Sequence, residues 1–224
     1  MKKLFELPII NNTQINNSEY YSTNTIYKNI DNNEVVYNNG TSWYSLTQLN
    51  MLIPIFDEDW ESGDFNTNNW VVVNDDTNKW IIGTSDTYRG TYSLYISNDN
   101  TNPTYDNSTS NDSHIYVDVP IPNGISDCII EFQHKGEAEV NYDYMRVYNA
   151  PTTYTPTAGN QPDSAYQIGK SQYNDKSVYG LESISIGNAD AGTTRRFIFS
   201  WHNDGSVGTN PATIIDNIKI KVKY

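Results

Sequence analysis

The acidic segment FDEDWESGDF holds the residues best suited to chemistry. In an extended chain Asp57, Asp59 and Glu61 share one face, roughly 7 Å apart in succession, with Phe56, Glu58 and Trp60 on the other. Carboxylates arranged in this way repel one another unless solvent or a cation intervenes. Ca2+ is the hard ion that takes carboxylate, amide and carbonyl oxygens from flexible loops. A second acidic run, Asn74-Asp75-Asp76-Thr77-Asn78, is turn-like, and Asp216 stands inside the apolar text TIIDNIKI, where an unpaired buried carboxylate is costly. The candidate cation set is therefore Glu61 and Asp216, joined by Asp59 and Asp76. The alternative is a solvated acidic edge, or acids that accept backbone N–H groups in turns. The spacing is not that of an EF-hand.

Tyrosines offer a different chemistry. Tyr105, Tyr154, Tyr166 and Tyr173 fall in the weakly patterned segments 98–112 and 151–176, which read as long loops. There an aromatic ring can stack on a pyranose while Asn and Asp bond its hydroxyls. Tyr is equally an anchor of protein interfaces. Catalytic patterns are weak: His114, His134 and His202 never show metalloprotease spacing, and no nucleophile elbow, P-loop or dinucleotide fingerprint occurs. Glu131 with His134, and Glu137 with Glu139, read as surface strand residues, and Cys128 in CIIEF reads as core. No enzymatic activity is expected.

These residues need a framework, and the pattern predicts strands. From IPIFDEDW (53–60) to TIIDNIKIKVKY (213–224), ten strand-like segments alternate with Asn, Asp, Gly and Ser turns, and no helix exceeds about two turns. In TYSLYIS and in DNIKIKVKY apolar residues alternate with polar ones, so each strand has one dry and one wet face. The thirty Asn among 224 residues are spread along the chain and mark many tight corners. The fold class expected is all-β, a jelly-roll β-sandwich of two antiparallel sheets over 51–224. Residues 1–50 are expected to form a short extended and hairpin region around the turn Asn39-Gly40. Its aromatics Tyr37, Trp43 and Tyr44 need a surface to pack on, which suggests an attachment or oligomerisation role; a loose terminal arm is the alternative.

The charge of −13, from 14 Lys+Arg against 27 Asp+Glu, argues against binding nucleic acid or an anionic membrane through bulk electrostatics. One cysteine excludes an intramolecular disulfide framework. Glu6 and Pro8 interrupt the short apolar run after Lys2 and Lys3, so no cleavable export signal is expected. No apolar stretch is long enough to span a membrane.

Taken in order, FDEDWESGDFNTNNW, NKW, YRGTYSLYISND, YDYMRVY and FIFSWHNDGSVGTNPATIIDNIKI resemble the cleaved-adhesin or MAM-like jelly-roll modules over roughly residues 53–224. The resemblance implies a structural calcium ion at the matching acids Glu61 and Asp216, although Asn217 stands where the closing motif usually has a second acid. It also implies noncatalytic binding of proteins or glycans at a cell surface. The stretch NNEVVYNNGTSWYSLTQLN resembles hairpin-bearing segments of bacteriophage tail or head fibres. Together these imply a virion fibre or decoration protein, oligomeric and often trimeric, made in the host cytoplasm and docked to other virion proteins through residues 1–50. The rival readings are a bacterial cell-surface carbohydrate-binding module and a sandwich-fold glycoside hydrolase, the latter requiring two carboxylates about 5–9 Å apart across a cleft.

Overall fold

A computed structural model describes residues 8–15, 25–32, 34–38, 41–45 and 52–224. The chain divides into two units, residues 1–52 with Tyr224 and residues 53–223.

The small unit carries strands β1 (Ile9–Ile10), β2 (Thr25–Asn29), β3 (Val35–Asn38) and β4 (Trp43–Ser45), and a single helical turn, α1 (Asn12–Ile15). The strands form one sheet in that order, with β1 parallel to β2 and the other pairs antiparallel. Ile10, Tyr27 and Val36 are its buried apolar residues, with Ile15 and Trp43 packed against them. The hairpin expected from the sequence corresponds to β3 and β4, to which β1 and β2 add two strands; the turn Asn39-Gly40 lies outside the described residues. Tyr37 is paired with Tyr44 across that hairpin, and Trp43 meets Tyr27 at 5.5 Å between ring centroids. The side chain of Tyr44 and the boundary at residue 50 lie outside the described residues.

The large unit is a sandwich of two antiparallel sheets. Its strands are β5 (Ile53–Glu58), β6 (Val71–Val73), β7 (Lys79–Gly83), β8 (Ser93–Ser97), β9 (Asn111–Pro120), β10 (Asp127–Gly136), β11 (Tyr144–Pro151), β12 (Gln167–Tyr173), β13 (Lys176–Gly187), β14 (Thr194–Asn203) and β15 (Ile214–Lys223). Six form one sheet in the order β13-β10-β15-β8-β7, with β5 sharing the edge of β15 that β8 leaves open; five form the other, β12-β11-β14-β9-β6. From β8 to β11 and from β12 to β15 the chain changes sheet at every connection, the jelly-roll winding. The two-residue period places Cys128, Ile130, Phe132 and His134 of β10 inside and Ile129, Glu131, Gln133 and Lys135 outside. Trp60, Trp80, Trp201, Phe132, Phe197 and Phe199 fill the space between the sheets.

Among the described residues, four of the five non-glycine positions with positive φ are asparagines, Asn69, Asn100, Asn141 and Asn217. Asn tolerates that region best among residues carrying a Cβ, so the Asn content does mark corners. The segment 151–176 is not an open loop. It contains a 3-10 turn at Ser164–Tyr166 and the edge strand β12.

Candidate functional site: a groove on the six-stranded sheet

The outward face of the six-stranded sheet is built in rows. Leu181 of β13 lies opposite Gln133 of β10. In the next row Ser183, Glu131, Lys219 and Asp57 run across β13, β10, β15 and β5. Ile218, Ile220 and Val222 of β15 face the core, and period two carried back from them would turn Asp216 inward as well. A bulge prevents this. Two steps along β10, from Glu131 to Gln133, match three steps along β15, from Lys219 to Asp216, with Asn217 at φ +49°. Asp216 therefore shares the outer face with Gln133, while Ile215 takes the core position opposite His134.

Asp216 is nonetheless 0% exposed, because residues 86–92, which join β7 to β8, fold over it. Its Oδ2 accepts the backbone N–H groups of Tyr88 (2.9 Å) and Arg89 (3.2 Å), and its Oδ1 that of Asn217 (2.8 Å). Glu61 holds the other half of the same loop: Oε1 accepts from Thr91 and Tyr92, each at 2.9 Å. Gly90 between them is required, since it sits at φ +75° and an added Cβ would lie 2.3 Å from Glu61 Oε1. Lys135 Nζ reaches Asp86 Oδ2 at 2.6 Å, and the Tyr179 hydroxyl donates to the Asp86 carbonyl. Burial, reinforced by the Glu61 charge, raises the Asp216 carboxyl above its usual range against the opposing backbone N–H bonds.

So fixed, the loop forms one wall of a groove of about 370 Å³ lined by Pro54, Tyr88, Arg89, Glu131, Gln133, Leu181, Asn217, Lys219 and Lys221. Tyr88, 38% exposed, packs against Tyr179 with 5.5 Å between ring centroids and 57° between the ring planes, and Leu181 is 57% exposed on the far strand. Lys221 pairs with Glu131 and Lys219 with Asp57. The Gln133 amide, the Asn217 amide, the Arg89 guanidinium and the Tyr88 hydroxyl have no hydrogen bond to any described residue. The groove thus offers an aromatic face beside polar groups with unused capacity. Its lining contains one carboxylate, Glu131, paired with Lys221.

Of the four acids named from sequence, Glu61 and Asp216 converge on one loop. Asp59 and Asp76 do not join them: Asp59 Oδ1 accepts the Glu61 N–H within its own turn, and Asp76 is exposed between β6 and β7, its N–H bonded to Asp75. The proposed sugar platforms need correction. Tyr105 is buried against Trp201 with its hydroxyl on Asp143 (2.6 Å), and Tyr173 is buried between Phe132 and His134; neither ring face is available. Tyr154 and Tyr166 pack on each other and on Tyr116, Tyr148 and Ile198, so that segment 151–166 caps the outer face of the five-stranded sheet. Aromatic composition marked these residues, but Tyr packs as readily as it stacks on ligands. Tyr88, Arg89, Gln133 and Asn217 were missed because only the bulge and the loop bring them together.

A further acidic trio also escaped notice. Oxygens of Glu139, Asp143 and Asp204 all lie within 4.8 Å of one another. Burial and the neighbouring acids raise the Glu139 carboxyl, and burial raises that of Asp143. Asp204 lies 61 positions beyond Asp143, too far for any local spacing to announce the group.

The chain matches no protein-family model and no curated protein. Solved structures resemble it in fold. The module TmCBM61, solved in complex with beta-1,4-galactotriose, is 12% identical with a TM-score of 0.45, over 72% of this chain and 92% of that one. The CBM22-1 xylan-binding domain of Xyn10C from Paenibacillus barcinonensis is 10% identical with a TM-score of 0.45, over 76% and 94%. The K1 cleaved adhesin domain of Lys-gingipain from Porphyromonas gingivalis W83 is 13% identical with a TM-score of 0.45, over 74% and 96%.

Proposed function

We propose that residues 53–223 form a noncatalytic glycan-binding module whose saccharide lies in the groove of the six-stranded sheet. The observation that carries this reading is the exposed Tyr88 ring, with its own hydroxyl and three neighbouring polar groups that no described residue satisfies. A pyranose stacks its C–H face on such a ring, while hydroxyls meet the Gln133 and Asn217 amides. The rigid sheet and the doubly anchored loop set these groups before the ligand arrives, which limits the ordering cost of binding. A glycan array tests the reading, with galactan and xylan oligosaccharides among its members. The chain binds a subset of spots, and Tyr88→Ala combined with Gln133→Ala lowers the signal by about tenfold or more without changing the melting temperature. Unchanged binding by the double variant, or no binding by the parent chain, contradicts it.

A structural Ca2+ at Glu61 and Asp216 belongs to the same proposal. Two carboxylates that hold one loop, one fully buried and raised first by that burial and then by the charge of the other, fit a cation with oxygen lone pairs that the N–H groups leave free. The ion would neutralise the pair and leave the loop in place. Melting at a higher temperature in Ca2+ than in chelator supports this; identical curves with no bound metal by elemental analysis contradict it.

The setting we propose is a virion or bacterial cell surface, with residues 1–50 as the attachment segment. Exposed Ile9, Ile26 and Ile30 on or beside the small sheet support a partner surface there. Mass photometry of the full chain, expected to show an oligomer, tests self-association as that partner, and a monomer excludes it.

A further inference from the structure

The groove's charge points to one chemical class of saccharide. In a chain of net charge −13, the groove is lined by three cations, Arg89, Lys219 and Lys221, against the single acid Glu131. The two lysines are neutralised, by Asp57 at 3.0 Å and by Glu131 at 2.5 Å. Arg89 is not. Its guanidinium is exposed and meets no carboxylate and no hydrogen-bond acceptor among the described residues, and its Cζ lies 5.6 Å from the centroid of the Tyr88 ring.

Its position is fixed from below. The backbone N–H groups of both Tyr88 and Arg89 end on the buried Asp216 carboxylate, so ring and guanidinium are presented from one anchored dipeptide, the guanidinium over one part of the ring. A guanidinium is a planar fork that matches a carboxylate with two parallel N–H bonds. The sugar that uses both groups has a pyranose face for Tyr88 and a carboxylate on the same ring for Arg89. A uronic acid meets both conditions.

The rest of the molecule restricts how many acids the ligand can carry. One unpaired cation serves one carboxylate, and the surrounding field of a protein at −13 repels a densely charged chain over the ~8 Å that physiological salt allows. Resting on the glycan-binding reading above, we infer that the groove selects a largely neutral glycan bearing an isolated uronic acid, with Arg89 as the residue that confers this selectivity.

The test is an array of matched oligosaccharide pairs printed with and without a single glucuronic or galacturonic acid, with sulfated counterparts and polygalacturonate, probed with the full chain and followed by calorimetry of the hits at low and high salt. The expected result is binding of uronate-bearing members about tenfold tighter than their neutral mates. Arg89→Ala brings the two to the same affinity, Arg89→Lys keeps part of the preference, and Tyr88→Ala weakens both. Equal affinity within pairs, or a preference that survives Arg89→Ala, overturns the inference while the glycan reading stands. Stronger binding to the sulfated members or to polygalacturonate overturns the isolated carboxylate. Absence of binding to every spot overturns the glycan reading itself.

Discussion

Asp216 shows how one side chain positions a site it does not line. It is buried, yet its oxygens are met by three backbone N–H groups, two of them from the residues that carry Tyr88 and Arg89. Asp216→Ala leaves these donors unpaired, and chemical denaturation should register a loss of about 1–3 kcal/mol together with weaker glycan binding. Gly90→Ala should act on the same loop through Glu61, because both its φ of +75° and the 2.3 Å approach forbid a Cβ; a lower melting temperature and reduced binding are expected, and a variant as stable as the parent would refute the anchoring. His134 provides a separate pH signature. Burial first, then the Lys176 charge, lowers its pKa from 6.5 to about 4, and its Nδ1 has no hydrogen-bond partner among the described residues. A histidine depressed in the folded state stabilises fully above its unfolded pKa, and that stability drains as pH falls from 6.5 toward 4. Glu182, opposed by its burial but held at about 2 by Lys170 and Lys176, loses its own contribution as pH falls from 4.5 toward 2, so it overlaps only the acid end of that window. Urea denaturation across pH 5–7 should therefore show a decline that His134→Phe flattens, and an unaltered slope would contradict it.

At the scale of elements the bulge in β15 decides the site. Alternation of Ile218, Ile220 and Val222 with lysines was legible in the sequence; the extra residue was not, because period two alone sends Asp216 into the core. Asn217 was the local sign, being the type that tolerates φ +49°. Replacing it with Val should cost about 1–2 kcal/mol, whereas Gly should keep stability near the parent's, as thermal melts can show. The long segment 151–176 misled for the opposite reason. QIGKSQY lacks clean alternation, so β12 did not stand out, and its tyrosines looked like free rings. Register with β11 and packing on Tyr116 and Tyr148 are tertiary facts that no local pattern carries.

At the scale of the molecule, ten of the eleven strands of the large unit, the antiparallel sheets and the sandwich were readable, since turns rich in Asn and period-two text are local physics. Pairing across sheets was not, so the face that became the groove could not be chosen from sequence. Charge is informative only after folding: a uniformly acidic composition conceals a face where lysines alternate along β15. A chain starting at Ile53 should retain cooperative unfolding at nearly the parent's denaturant midpoint, since its core is lined by residues of that unit; loss of the transition would show that the small unit contributes to it. The most direct measurement of the central claim is amide NMR of the full chain titrated with an oligosaccharide hit. The account predicts shift changes concentrated at Tyr88, Arg89, Gln133, Asn217 and Lys219; changes centred instead on Tyr116, Tyr148, Tyr154 and Tyr166 would contradict it.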